Sequence, residues 1–256
     1  MLFLCIKNIE FYAEILFFIK IRSLKILGAL VYNKNMKKFF HEKADCKHNL
    51  LQVRVITIIL SIVTFVIIAY LVDIGCVDRF DLSIGATVRA LRNNVTDIIF
   101  VAVTYAGNWQ FVVSIALLLF IMPKTREDYG KPLAAASIGS VVVYKLLKGV
   151  FKRPRPDIYL HIINQDGWSF PSGHAMNCMV FYGLLIYLLR CRLNQDKTRT
   201  IWTVALSILI FTIGFSRVFV GVHYPTDIIG GWTAGFAILM TAVIIIDKTN
   251  EIKIGN

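Results

Sequence analysis

Four stretches of this chain, 55–72, 98–123, 200–216 and 228–246, contain no charged residue over 17 positions or more. A helix needs about 20 mostly apolar residues to cross hydrocarbon. Two further runs, 132–144 and 175–189, stay apolar until they meet chemistry-bearing residues, and the first continues to Phe151 past Lys145 and Lys148. The runs are rich in Val, Ile and Phe, but in lipid only helices and closed barrels satisfy the backbone, and no apolar/polar alternation marks a barrel. The prediction is an all-α fold, a six-transmembrane helix bundle. Composition agrees: 57% of residues are hydrophobic and 17% charged, against about 45–50% and about 25% in soluble domains. At 256 residues the chain is long enough for one such bundle and too short for two large domains.

Lysine and arginine set the expected orientation. With six spans the termini share a side, and that side carries 19 of the 28 Lys and Arg. The other side carries nine, which include Lys148, Arg155 and Arg217, and the remaining six, Arg79, Arg89, Arg92, Lys145, Lys152 and Arg153, face seven acids. The termini are therefore expected in the cytoplasm and the other helix ends on the outer face. The net charge of +12 reads as inner-leaflet anchoring. Nucleic acid is not an expected partner, because the cations flank spans and do not cluster on a soluble face.

The expected organisation is a cytoplasmic N-terminal extension over 1–49, a six-span domain over 50–247 and a short cytoplasmic tail over 248–256. Residues 2–31 are apolar but interrupted by charge and lack a small-residue cleavage site, which favours an interfacial amphipathic helix over a cleaved signal peptide. Met36, followed by Lys37 and Lys38, reads as a second candidate start. Residues 32–49 are polar and expected to be irregular. Of five cysteines, only Cys76 falls in an outward loop, so no structural disulfide is expected; Cys178, within a span, reads as a small core residue. No Cys/His cluster has zinc spacing.

Three short motifs carry the chemistry: Lys148-x6-Arg155-Pro156, Pro171-Ser172-Gly173-His174 and Ser216-Arg217-x5-His223-x3-Asp227. Between His174 and Ser216 lie 41 residues, two membrane crossings joined by a basic turn, so these motifs meet on one side. The first closes the preceding span at Pro154 and Pro156 and is joined to the second by 14 residues. Ser172-Gly173 opens a helix whose free N–H groups and dipole favour an anion. Asp227, four residues after His223, can hold one of its ring nitrogens. Arg217 follows 17 uncharged residues, a position where an ionisable group marks a site. Taken singly, each residue has a bland alternative: an ordinary cap, an interfacial histidine, a snorkelling lysine. Taken together they form a phosphate site. Trp168, in the joining loop, is either a headgroup contact or an interface anchor.

These motifs resemble the three-part signature of the type-2 phosphatidic acid phosphatases, or lipid phosphate phosphatases, with every signature position filled. The resemblance spans roughly 55–246; vanadium haloperoxidases are related to that family. It implies a metal-independent, cofactor-free phosphatase acting on membrane lipid phosphates, with the site near the outer surface. His223, oriented by Asp227, would be the nucleophile forming a phosphohistidine. His174 would be the general acid and then the base. Lys148, Arg155, Ser172, Gly173 and Arg217 would hold the phosphate oxygens. Phosphatidic acid or phosphatidylglycerophosphate is the expected substrate type, with undecaprenyl diphosphate as the alternative. A vanadate-dependent peroxidase and a non-enzymatic protein on the same scaffold are the other readings, both disfavoured by the spans or the intact histidine pair. The signature says nothing of oligomeric state.

Overall fold

The computed structural model describes residues 43–255, and side-chain surroundings over 50–249. The expected interfacial helix over 2–31 lies outside the described residues. Among those described there are eight α-helices and no strand: α1 Lys43–Asp73, α2 Asp78–Arg89, α3 Asn94–Tyr105, α4 Trp109–Ile121, α5 Lys131–Phe151, α6 Gly173–Arg192, α7 Asp196–Phe219 and α8 Pro225–Gly255. A π-helical turn, Arg126–Gly130, leads into α5, and a short 3-10 turn, Ile158–Leu160, lies between α5 and α6. Helix α1 begins within the segment expected to be irregular.

Helix α6 is the axis of the bundle, packed by α4, α5, α7 and α8. It is apolar all round, as a helix enclosed on every side must be, and nearly every residue from Gly173 to Leu188 is buried, Cys178 included. Close crossing with α8 needs small residues. A Cβ at Gly231 would stand 2.6 Å from the Ser172 carbonyl, and one at Gly235 2.8 Å from that of Met176. Helix α1 packs on α8 and turns Ile59, Val63, Val66 and Ile67 outward, toward lipid. At the end opposite the motifs, Arg54 of α1 pairs with Asp247 of α8 at 2.5 Å, and the Tyr187 hydroxyl of α6 donates to the same carboxylate.

Among the described residues five helices are long and apolar enough to span, and six if one bent pair counts as a span. That pair corrects the expectation of a continuous helix over 98–123: α3 and α4 meet at 47°. The break falls at Gly107-Asn108. In lipid a freed carbonyl must find a partner within the protein, and the Tyr182 hydroxyl of α6 donates to Ala106 O at 2.7 Å. Helix α2, amphipathic and on the motif side, was not foreseen. Asp78 and Asp81 lie in its first turn and Arg89 in its last, each favourable to the helix dipole. Helix α3 opens on an Asn93–Thr96 capping box.

Candidate active site

All three motifs come to one end of the bundle. Helix α5 stops at Lys152, which takes a left-handed conformation (φ 46°) ahead of Pro154. The chain then crosses to Ser172, whose N–H donates to Asp227 O at 3.0 Å and whose hydroxyl accepts from Ala175 N at 3.4 Å, capping α6. The turn from α7 to α8 passes through Gly221 (φ 83°), where the Leu160 carbonyl leaves no room for a Cβ. Arg92 braces this turn by donating to Phe219 O and Leu160 O, each at 2.9 Å.

His223 is buried in that turn. Its Nδ1 lies 3.2 Å from Asp227 Oδ2 and 3.3 Å from Ser169 Oγ, while Arg155 Nη1 stands 3.2 Å from its Nε2. A guanidinium offers donors alone. Nε2 is therefore the acceptor, and the ring proton sits on Nδ1 toward the carboxylate. Burial first, then Arg155, Lys148, Arg217 and Arg153, push His223 well below the usual imidazole range. Asp227 Oδ2 also accepts from Ser169 Oγ at 2.5 Å and from Tyr224 N at 2.8 Å.

The cations surround this pair. Arg155 donates to Val222 O at 2.7 Å, Gly167 O at 2.9 Å and Asp166 O at 3.1 Å, and burial lowers its pKa to about 10. Arg217 is buried; Nη1 donates to Thr104 Oγ1 and Nη2 to Gln165 Oε1, both at 2.7 Å. Its Nε has no partner among the described residues, a free buried donor of the kind an anion would satisfy. Lys148 donates to the carbonyls of Trp168 and Ser169. His174 is half-buried at the head of α6, with Arg217, His223, Lys148 and Arg155 all acting on it electrostatically. It packs at the α3–α4 break: a Cβ on Gly107 would lie 3.2 Å from its ring. Gly173 lets the α6 N-terminus press on Tyr144, whose ring would be 3.1 Å from an added Cβ. All eight residues expected from the motifs are thus brought together. Trp168 keeps its ring exposed and gives the site its carbonyl.

Several neighbours escaped sequence reasoning. Arg153, counted there as an ordinary outward cation, is buried and donates to Asp227 Oδ1 at 2.8 Å and to Asp81 Oδ2 at 2.7 Å. Burial opposes its charge, but Asp227 and Asp81 more than offset that and raise its pKa. Its place one residue before Pro154, in the same kink as Arg155, was the available signal. Ser169, Thr104 and Gln165 carry no sequence mark. Among the described residues no group of three or more His, Cys, Asp and Glu could hold a metal.

A helical bundle with cations and paired histidines at one end of its spans defines the class: a membrane-embedded phosphatase. More narrowly, residues 130–251 match the family model of the PAP2 superfamily. It is 26% identical to phosphatidylglycerophosphatase B of Bacillus subtilis over 67% of this chain and 85% of that one. It is 31% identical to an undecaprenyl-diphosphatase of Sulfolobus acidocaldarius, over 55% and 66% respectively. In fold it resembles a crystal structure of a transmembrane PAP2-type phosphatidylglycerolphosphate phosphatase from Bacillus subtilis, with a TM-score of 0.69, 24% identity and coverage of 75% and 96%.

Proposed function

We propose that this protein removes phosphate from membrane lipids at the outer leaflet through a phosphohistidine on His223, without metal or cofactor. The observation that carries this reading is the His223 arrangement: Nδ1 faces Asp227 at 3.2 Å, and Nε2 is left unprotonated amid three cations. Nε2 attacks phosphorus while the bond to the lipid oxygen breaks. His174 supplies the proton that oxygen needs, then takes one from water. The resulting hydroxide attacks phosphorus, the P–N bond breaks, and its electron pair returns to Nε2. Lys148, Arg155, Arg217 and the N–H groups at Ser172-Gly173 hold the equatorial oxygens, where an in-line transfer spreads its charge. Three fixed cations supply the positive charge that a magnesium ion supplies elsewhere, so activity is expected to survive excess chelator and to be blocked by vanadate. Strict dependence on added magnesium contradicts this.

The charge distribution supports cytoplasmic termini, since α1 starts and α8 ends opposite the site. The site lies at helix ends next to uncharged spans, so a lipid tail can remain in hydrocarbon while its phosphate reaches the cations. Each buried methylene adds about 0.8 kcal/mol to membrane partitioning, an advantage small esters lack. The relative from Bacillus subtilis favours a glycerolipid monophosphate such as phosphatidylglycerophosphate or phosphatidic acid. The relative from Sulfolobus supports a second reading, undecaprenyl or another polyprenyl diphosphate.

Turnover by purified protein in detergent on phosphatidic acid, phosphatidylglycerophosphate, a polyprenyl diphosphate and glycerol 3-phosphate decides among these. A glycerolipid is expected to be the best substrate. Preference for the diphosphate selects the second reading, and equal efficiency on glycerol 3-phosphate refutes a lipid substrate.

A further inference from the structure

Asp227 is held from both sides. Its Oδ2 faces His223, Ser169 and Tyr224, while its Oδ1 accepts from Arg153 Nη1 at 2.8 Å. The other arm of that guanidinium, Nη2, donates to Asp81 Oδ2 at 2.7 Å. Asp81 accepts in turn from Thr226 N at 3.0 Å and from Thr226 Oγ1 at 2.6 Å, so a carboxylate on α2 caps the start of α8. Thr226 Oγ1 also lies 2.9 Å from Arg153 Nη1, which closes the ring. All four residues are buried. Tyr224 stacks on the guanidinium at 4.2 Å, and the exposed Asp78 lies 3.6 Å from it.

We propose that Arg153 and Asp81 are positioning residues for the reaction: Arg153 fixes the Asp227 carboxylate through Oδ1, and Asp81 fixes Arg153. This rests on the reading of His223 as nucleophile. Helix α2 lies outside the three motifs and outside the matched segment 130–251. The competence of the site therefore depends on a helix far from it in sequence.

A two-armed guanidinium between two carboxylates fixes both orientation and charge. With Oδ1 held, Oδ2 has one direction left, toward Nδ1 of His223. A lysine could keep the charge but not the fork. The groups facing His223 are Arg153 and Arg155 from the loop after α5, Lys148 on α5, His174 on α6, Arg217 on α7 and Asp227 on α8. Removing Arg153 takes away one positive charge that opposes protonation of the imidazole. Removing the Asp81 charge leaves Arg153 less compensated. The two changes must move His223 in opposite directions, which a purely structural role would not do.

The test compares Arg153→Gln, Arg153→Lys and Asp81→Asn in the full-length protein, by pH profile of kcat/KM and by NMR titration of His223 in histidine-labelled protein, with His223→Gln assigning the resonance. In Arg153→Gln the acid limb should move to higher pH. In Asp81→Asn it should move to lower pH. In Arg153→Lys it should stay, while kcat falls about 10–100-fold, by analogy with the loss of an outer partner that orients a metal-bound side chain, with KM little changed. Should Arg153→Gln fail to fold, the other two variants still decide. Limbs and titrations that stay put in both Arg153→Gln and Asp81→Asn, or that move the same way in the two, overturn the proposal, as does an Arg153→Lys variant with unchanged kcat. The titration needs no substrate, so absence of lipid phosphatase activity in the unaltered protein would refute the proposed function separately.

Discussion

Nη1 of Arg155 lies 3.2 Å from Nε2 of His223. A protonated Nε2 would face that guanidinium with like charge, so the contact selects the neutral ring with its lone pair toward the cations. Nucleophilic attack requires the same form. Burial, Arg155 and the other cations lower His223, and the sign follows: activity is present above the lowered value and lost as pH falls through it. The acid limb of kcat/KM, which reports the free enzyme, should therefore lie below the ordinary histidine value of about 6.5. A limb at or above that value contradicts the arrangement. Stability has the same sign, because below about 6.5 the unfolded chain binds a proton that folded His223 does not.

Substitution separates the two histidines. His223→Ala and His174→Ala should each leave the fold intact and reduce turnover by about 10³-fold or more, since each removes a reaction route and not merely a contact. Their intermediates should differ. His174→Ala can still form phosphohistidine and should accumulate it where activation of water becomes limiting, whereas His223→Ala should form none. Radiolabelled lipid phosphate followed by acid and alkali treatment distinguishes them, because a phosphohistidine is acid-labile and stable to alkali. Substantial turnover by His223→Ala would sink its assignment as nucleophile.

The spans were legible because hydrocarbon leaves an uncharged run of this length few alternatives to a helix. The meeting of the motifs was legible from arm length, since 41 residues between His174 and Ser216 can only go in and come back. The bend at Gly107-Asn108 was not. It is stable because a tyrosine hydroxyl on α6 meets Ala106 O, and that partner lies 76 positions away. Arg153 was misread for the same reason. Counting charges by side treats it as a solvated cation, but its partners Asp81 and Asp227 stand 72 and 74 positions off. Local pattern located the elements and the signature residues. The contacts that hold those residues in place are made across the fold.

Orientation can be tested on the native cysteines. Cys76 follows α1 on the motif side and is exposed, while Cys191 is half-buried near the far end of α6. An impermeant thiol reagent applied to intact cells should label Cys76 and spare Cys191 until the membrane is opened. Labelling of Cys191 from outside, with Cys76 protected, would place the site on the cytoplasmic face.

The crossing of α6 and α8 offers a test of how the site is held that leaves every polar group in place. An added Cβ at Gly231 would stand 2.6 Å from the Ser172 carbonyl and 2.9 Å from the Ala175 Cβ, whereas one at Gly149 would meet nothing within 4 Å. Backbone cannot swing aside as a side-chain end can, so Gly231→Ala must part the two helices where Ser172 caps α6 and where Ser172 N donates to Asp227 O. Overpacking of this kind costs about 1–3 kcal/mol. The displacement also separates His174 on α6 from His223 and Asp227 beside α8, so turnover should fall further than stability alone explains. Gly149→Ala, on an exposed face of α5, should be neutral or stabilise by about 0.5–1 kcal/mol. Thermal unfolding in detergent and turnover per folded molecule, measured on both variants, check this. Equal behaviour of the two would show that close contact between α6 and α8 does not set the site's geometry.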